Sequence, residues 1–202
     1  DITCAKNFKY NWFENKINLK QNFDFDNKKD FVILPEIFAH LANEFLIKKK
    51  VKYAILIQNG YSINSTNDEQ KLDSAYKNAK FILSISKDTT NCIKLKFPKL
   101  KTKILKVSYF LDLGEVNFSK KKNLITYMNR KLPQHSNLVI SYLKPNLSKK
   151  WKLHNLQNLS EKKTYDLLKK SKIFLSFSNL EGFGLPPLEA ALAGNNVIGY
   201  TG

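Results

Sequence analysis

Cysteine, arginine and long apolar runs are all scarce in this chain of 202 residues, and each scarcity removes a class of proteins. Cys4 and Cys92 are its only cysteines, too few and too isolated for a disulfide framework or a metal cage. The pair fits a reducing cytosol and fits equally well two incidental thiols. His40, His135 and His154 stand far apart, with no ligand-spaced pair among them, so a metal site finds no support. No apolar run approaches the ~18 residues that cross a bilayer, and nothing at the start has the form of a signal peptide. The expectation is a soluble, cytoplasmic protein. A hydrophobic content of 43% can bury a real core, and the length suits one large domain or two modest ones.

Lysine carries nearly all of the positive charge. The formal net charge is +17, from 34 basic against 17 acidic residues, a balance that points to nucleic acid or to an anionic membrane surface. The lysines run along nearly the whole chain without forming one block, and the joint heavy use of Lys, Asn and Ile also fits an AT-rich genome. Arg130 is the only arginine. A guanidinium fork binds phosphate in a bidentate way that an ammonium cannot, so a single retained arginine implies a geometric requirement.

Strand and helix patterns alternate from about residue 30 onward, which implies an α/β fold with parallel sheets and crossover helices. Strands are expected at Asp30–Leu34, Lys52–Gln58, Phe81–Ile85 and Lys103–Val107, with helices at Pro35–Ile47, Asp68–Ala79 and Asp88–Lys96 between them. A second series follows: strand Asn123–Met128, helix Pro133–Leu143, strand Trp151–Leu156, and a helix capped by Ser160 that runs to about Lys170. Tyr165, Leu167 and Leu168 are its expected core positions. Tyr142 and Trp151 read as packed aromatics.

The run Ile173–Phe177 is a buried strand in this reading, followed by Glu181-Gly-Phe-Gly-Leu-Pro-Pro-Leu-Glu189 and the strand Asn196–Gly199. Gly182 and Gly184 permit positive φ and close approach of a ligand to the backbone, and Pro186 suits a helix start near Leu185. A helix entered from a strand offers unpaired N–H groups and a positive dipole end, a seat for phosphate. Glu181 lies just before the helix and Glu189 about one turn inside it. One carboxylate can grip a sugar and the other a ribose diol.

The stretch from Glu181 to Gly194, with the strand after it, resembles the donor-site signature of the group 1 glycosyltransferases. That family is retaining and is built on two Rossmann-like domains, the GT-B architecture. Its two signature glutamates are separated by seven residues, the spacing of Glu181 and Glu189. The resemblance implies that Asn129-Arg130 stands for the family's Gly-Arg pair at the end of a strand, where ligands of open α/β sheets bind. The family's accompanying lysine falls at His135, with Lys131 the nearest cation and the preferred phosphate partner. Gly182, Phe183, Gly184 and Leu185 would line the donor, and Glu181 would be catalytic. Asn59 stands at the edge where relatives place a histidine; as residues, Gln58-Asn59-Gly60 also read as a plain turn. Gln157 replaces a glycine in the base-reading stretch and leaves the base unnamed.

The resemblance further implies an acceptor-side domain over residues 1–112, a linker over 113–122 beginning after Asp112, and a donor-binding domain over 123–202, both domains incomplete. The implied reaction transfers a sugar from a nucleotide diphosphate sugar to a glycan or lipid-linked acceptor hydroxyl with retention. It needs neither metal nor cofactor, and it belongs to polysaccharide or lipopolysaccharide assembly. A peripheral contact with the inner face of an anionic membrane accords with the charge. A nucleotide-sugar epimerase of the same architecture and a basic nucleic-acid-binding module are the competing readings.

Overall fold

Short apolar runs rich in Ile, Leu, Phe and Tyr become the inner parallel strands of the sheets, because a strand covered on both faces has no polar side to show. The computed structural model describes residues 2–3, 19–20, 24–64, 66–108, 110–111 and 120–200. The chain divides into two compact units. One is built on Ile17–Phe110 with Leu180–Phe183, the other on Leu111–Asn179 and Gly184–Gly202. Asp112 and most of the expected linker lie outside the described residues. Near the start, the two-residue strands β1 (Ile2–Thr3) and β2 (Leu19–Lys20) pair in parallel.

In the first unit β3 (Phe31–Pro35), β4 (Lys52–Ile57), β5 (Phe81–Ser84) and β6 (Ile104–Lys106) form a parallel sheet in that order. Helices α1 (Glu69–Asn78) and α2 (Lys87–Lys96) make two of the crossovers. Asp68 and Ser86 cap them, accepting from the backbone N–H groups of Lys71 and Thr89 at 3.0 Å each. Ile55, Ile57, Leu72, Tyr76, Ile82 and Ile93 are fully buried between sheet and helices. The Tyr76 ring stacks on Phe97 at 4.4 Å between centroids. The Tyr53 hydroxyl donates to the Ala75 carbonyl at 2.6 Å, tying β4 to α1.

The regular helix expected over Pro35–Ile47 is replaced by a 3-10 helix, Glu36–Leu41, and a π turn, Asn43–Ile47. The spacing of the buried residues explains the change. Glu36, Ala39, Ala42 and Leu46 face inward, and steps of three line up on a 3-10 turn better than on an α-helix. Glu36 is 3% exposed, and its carboxylate accepts the N–H groups of Gln58 at 3.3 Å and Asn59 at 3.0 Å. That anchor fixes the first turn to the end of β4.

In the second unit β7 (Lys122–Met128), β8 (Lys152–Asn155), β9 (Ser171–Ser176) and β10 (Asn196–Gly199) are also parallel, in the order β10-β9-β7-β8. The crossovers are α3 (Pro133–Asn146), α4 (Glu161–Lys170) and α5 (Leu185–Leu192). Leu156, Leu168, Phe174, Ala190 and Ala193 form the core, with Tyr165 and Leu167 packed against it. Tyr142 corrects the sequence reading: it is 70% exposed, because α3 turns it away from the sheet. Helix α3 also continues past Leu143 through Pro145, which has no N–H to give to the preceding turn, and the helix ends one residue later at Asn146. Each unit is thus a four-stranded parallel α/β layer of Rossmann-like form. Among the described residues, no helix is long and apolar enough to cross a membrane.

Candidate active site

The order β10-β9-β7-β8 contains a switch point. From β7 the chain crosses to β8 on one side, then returns to β9 on the other. The loops leaving β7 and β9 therefore part in opposite directions, and the crevice between them is where open α/β sheets bind ligands. Arg130 and Lys131 lie in the first loop, and Gly184 and Leu185 end the second.

Asn129 opens the β7 loop, and its side-chain oxygen accepts from the Asn155 amide at 3.0 Å, which joins the ends of β7 and β8. Asn155 in turn accepts the Gln157 N–H at 3.0 Å, fixing the turn after β8. Arg130 and Lys131 are exposed. Arg130 makes no hydrogen bond or ion pair among the described residues. His135, one turn into the same crossover, is engaged: the Tyr200 hydroxyl lies 2.8 Å from its Nδ1, and Phe177 meets its ring edge-on at 6.0 Å.

The β9 loop carries a strained residue, since Leu180 adopts φ 52°, a conformation rare outside glycine and asparagine. Gly184 caps α5 at φ 73°, where a Cβ would cost energy. The helix start is poorer in donors than the sequence reading implied. Pro186 and Pro187 occupy its second and third positions and carry no N–H, and the Leu188 N–H is taken by the Gly184 carbonyl at 3.2 Å. An anion there would meet the Gly184 and Leu185 N–H groups and the helix dipole.

Leu180–Phe183 belong to the first unit. Within it the Asn59 amide donates to the Leu180 carbonyl at 2.9 Å while its oxygen accepts the Tyr61 N–H at 2.9 Å. Asn59 is thereby committed to backbone. A Cβ on Gly182 would stand 1.9 Å from the Gln58 carbonyl oxygen, so the position admits no side chain. Glu181 is half-buried and Phe183 exposed in the same segment. The structure thus gathers Asn59, Glu181, Gly182 and Phe183 in one unit, and Arg130, Lys131, Gly184, Leu185 and Glu189 in the other.

Glu189 is half-buried on α5, and its Oε1 accepts the Tyr165 hydroxyl of α4 at 3.0 Å. Burial raises its pKa above the ordinary 4.5, the Tyr165 hydrogen bond opposes that, and the nearby Glu161 carboxylate adds to it. Burial and the two carboxylates push the Tyr165 phenol upward as well. Sequence reasoning placed Tyr165 in the core and missed this contact; the spacing of Glu161 and Tyr165, four apart on α4, was its only trace.

A raised carboxyl pKa means that the fold favours the neutral acid. Its contribution to stability is complete below about pH 4.5 and is lost as pH rises through the folded value. Glu189→Gln removes that loss and is expected to be the more stable of the two at neutral pH. Thermal midpoints measured from pH 4 to 7 should show the variant pulling ahead of the wild type as pH rises. A constant difference would refute the assignment.

No protein-family model matches the chain, and no curated protein matches it in sequence. In structure it is similar to a chain of the crystal structure of accessory secretory protein 1, 2 and 3 in Streptococcus pneumoniae, with a TM-score of 0.52 and 14% identity. The likeness is one of fold. It covers 86% of this chain and 41% of that one, so the present chain spans about two-fifths of the length of the chain it matches.

Proposed function

We propose that this chain carries the donor half of a retaining glycosyltransferase, which moves a sugar from a nucleotide diphosphate sugar to an acceptor hydroxyl in polysaccharide or lipopolysaccharide assembly. One observation carries the reading: the only arginine lies two residues past the end of β7, and the Gly184-capped start of α5 follows β9, on the two sides of one topological switch point. A departing nucleoside diphosphate gathers negative charge, and fixed positive partners stabilise it in proportion to their preorganisation. Arg130, Lys131 and the α5 dipole supply such partners. Glu181 would hold the sugar and offset positive charge at its ring, and Glu189 would hold the ribose.

Calorimetric titration with uridine, guanosine and adenosine diphosphates and their sugars tests the reading. One base series should bind, and Arg130→Lys should weaken it about ten-fold, the worth of a bidentate phosphate contact. Absence of binding across all three series would remove the proposal. Salt-sensitive binding to random duplex DNA in the same preparation would then establish the nucleic-acid reading that the net charge of +17 supports.

A further inference from the structure

We propose that Tyr165 is a positioning residue: its hydroxyl holds one oxygen of Glu189 so that the other reads a ribose diol, making the site selective for ribonucleoside over 2′-deoxyribonucleoside diphosphates. The inference rests on the donor-site reading above and adds a specificity determinant to it. A glutamate carboxyl group turns broadly about its last torsion. Here Oε1 is held at 3.0 Å by a phenol on a neighbouring helix, and among the described residues Oε2 has no hydrogen-bond partner. An ionised carboxylate only accepts, so a partner for Oε2 must donate. Vicinal hydroxyls are such donors.

The surroundings explain why a phenol is needed. Glu161, in the first turn of α4, also faces the Tyr165 hydroxyl and is close enough to disfavour the charge on Glu189. Without a donor between them, two carboxylates would repel and Glu189 would swing away or take up a proton. Either change abolishes an aimed acceptor. The phenol carries one proton, and the structure directs it to Glu189. Tyr165 itself is packed against the core by Leu168 and its neighbours, so its hydroxyl is a fixed reference point.

The test is the ratio of affinities for uridine, guanosine or adenosine diphosphate, whichever binds, and for its 2′-deoxy counterpart. Wild type should prefer the ribose form by about ten-fold, the worth of one charge-assisted hydrogen bond. Tyr165→Phe should bring the ratio to within about three-fold by weakening the ribose ligand alone. Loss of packing would weaken both ligands together and leave the ratio intact, and that result would overturn the inference. Should Tyr165→Phe fold poorly, Glu189→Asp keeps ring and charge while drawing the carboxylate back from the hydroxyl, and the same loss is expected. A preference that Glu189→Gln removes and Tyr165→Phe retains refutes the role of Tyr165 alone. Wild type that binds both sugars equally refutes ribose reading, and wild type that binds no nucleoside diphosphate overturns the donor site with it.

Discussion

Replacing Glu181 by Gln is expected to lower sugar transfer by about 10²–10³-fold, the usual cost of losing one preorganised electrostatic partner of a transition state. The proposed reaction loosens the bond to the nucleoside diphosphate before the acceptor hydroxyl has closed in, so the sugar ring carries positive charge. A carboxylate beside the ring offsets that charge; an amide of the same shape keeps the hydrogen-bonding geometry and loses the field. The loss should fall on kcat with little change in KM, because the ground-state sugar is neutral. Since Glu181 is only half-buried, the thermal midpoint should move little. Turnover near the wild-type level would sink the assignment. Glu189 offers no covalent alternative, since it is held by Tyr165 on the helix after the loop. A trapped glycosyl-enzyme, the mark of a retaining glycosidase with two paired carboxylates, is therefore not expected.

The strands were legible because buried parallel strands are apolar on both faces, and runs such as Phe81–Ser84 and Ser171–Ser176 begin or end within two residues of their expected bounds. The helix start at Ser160 was legible, because a short polar side chain closing on an N–H three residues on is a local event, whereas the caps Asp68 and Ser86 were not read as caps and α2, expected from Asp88, starts at Lys87. What escaped depends on contacts between residues distant in sequence. Nothing local marks Glu36 for burial, and only the chain just past β4 places two N–H groups against it. The prolines after Leu185 read as a helix start, which they are, yet they also remove the donors that an anion would seek. Asn195 caps its own helix at the nearby Ala190 carbonyl, but its bond to the Leu168 carbonyl, 27 residues away, and that of Lys121 to the same group, 47 residues away, have no local signature.

Asn195→Leu is expected to cost about 3 kcal/mol, because each buried polar group left without its partner costs about 1–3 kcal/mol. The last carbonyls of a helix have no partner within it. In the second unit those of α4 and α5 converge on Asn195, which is 8% exposed. Its amide donates to the Leu168 carbonyl at 2.8 Å and the Ala190 carbonyl at 2.9 Å, and its oxygen accepts from the Ser171 hydroxyl. Ser171 also meets the Thr126 hydroxyl at 3.1 Å, so the network reaches β7. Leucine fills the space and satisfies none of these groups. For a chain of this size the loss corresponds to a fall of about 6–12 °C in Tm. Urea unfolding should show the midpoint falling at constant slope, and a loss below about 1 kcal/mol would mean that water replaces the side chain. Lys121 shares the load, donating to the same Leu168 carbonyl at 3.2 Å and to that of Ala193. Lys121→Met and Asn195→Leu should therefore combine more than additively, since either donor alone still satisfies the Leu168 carbonyl and only the double variant strands it. The C-terminal end of α5 is what this network grips, and the same helix carries Glu189. Ligand affinity in Asn195→Leu should accordingly fall as the unit loosens on warming, while the preference for ribose over deoxyribose persists for as long as Tyr165 and Glu189 stay paired.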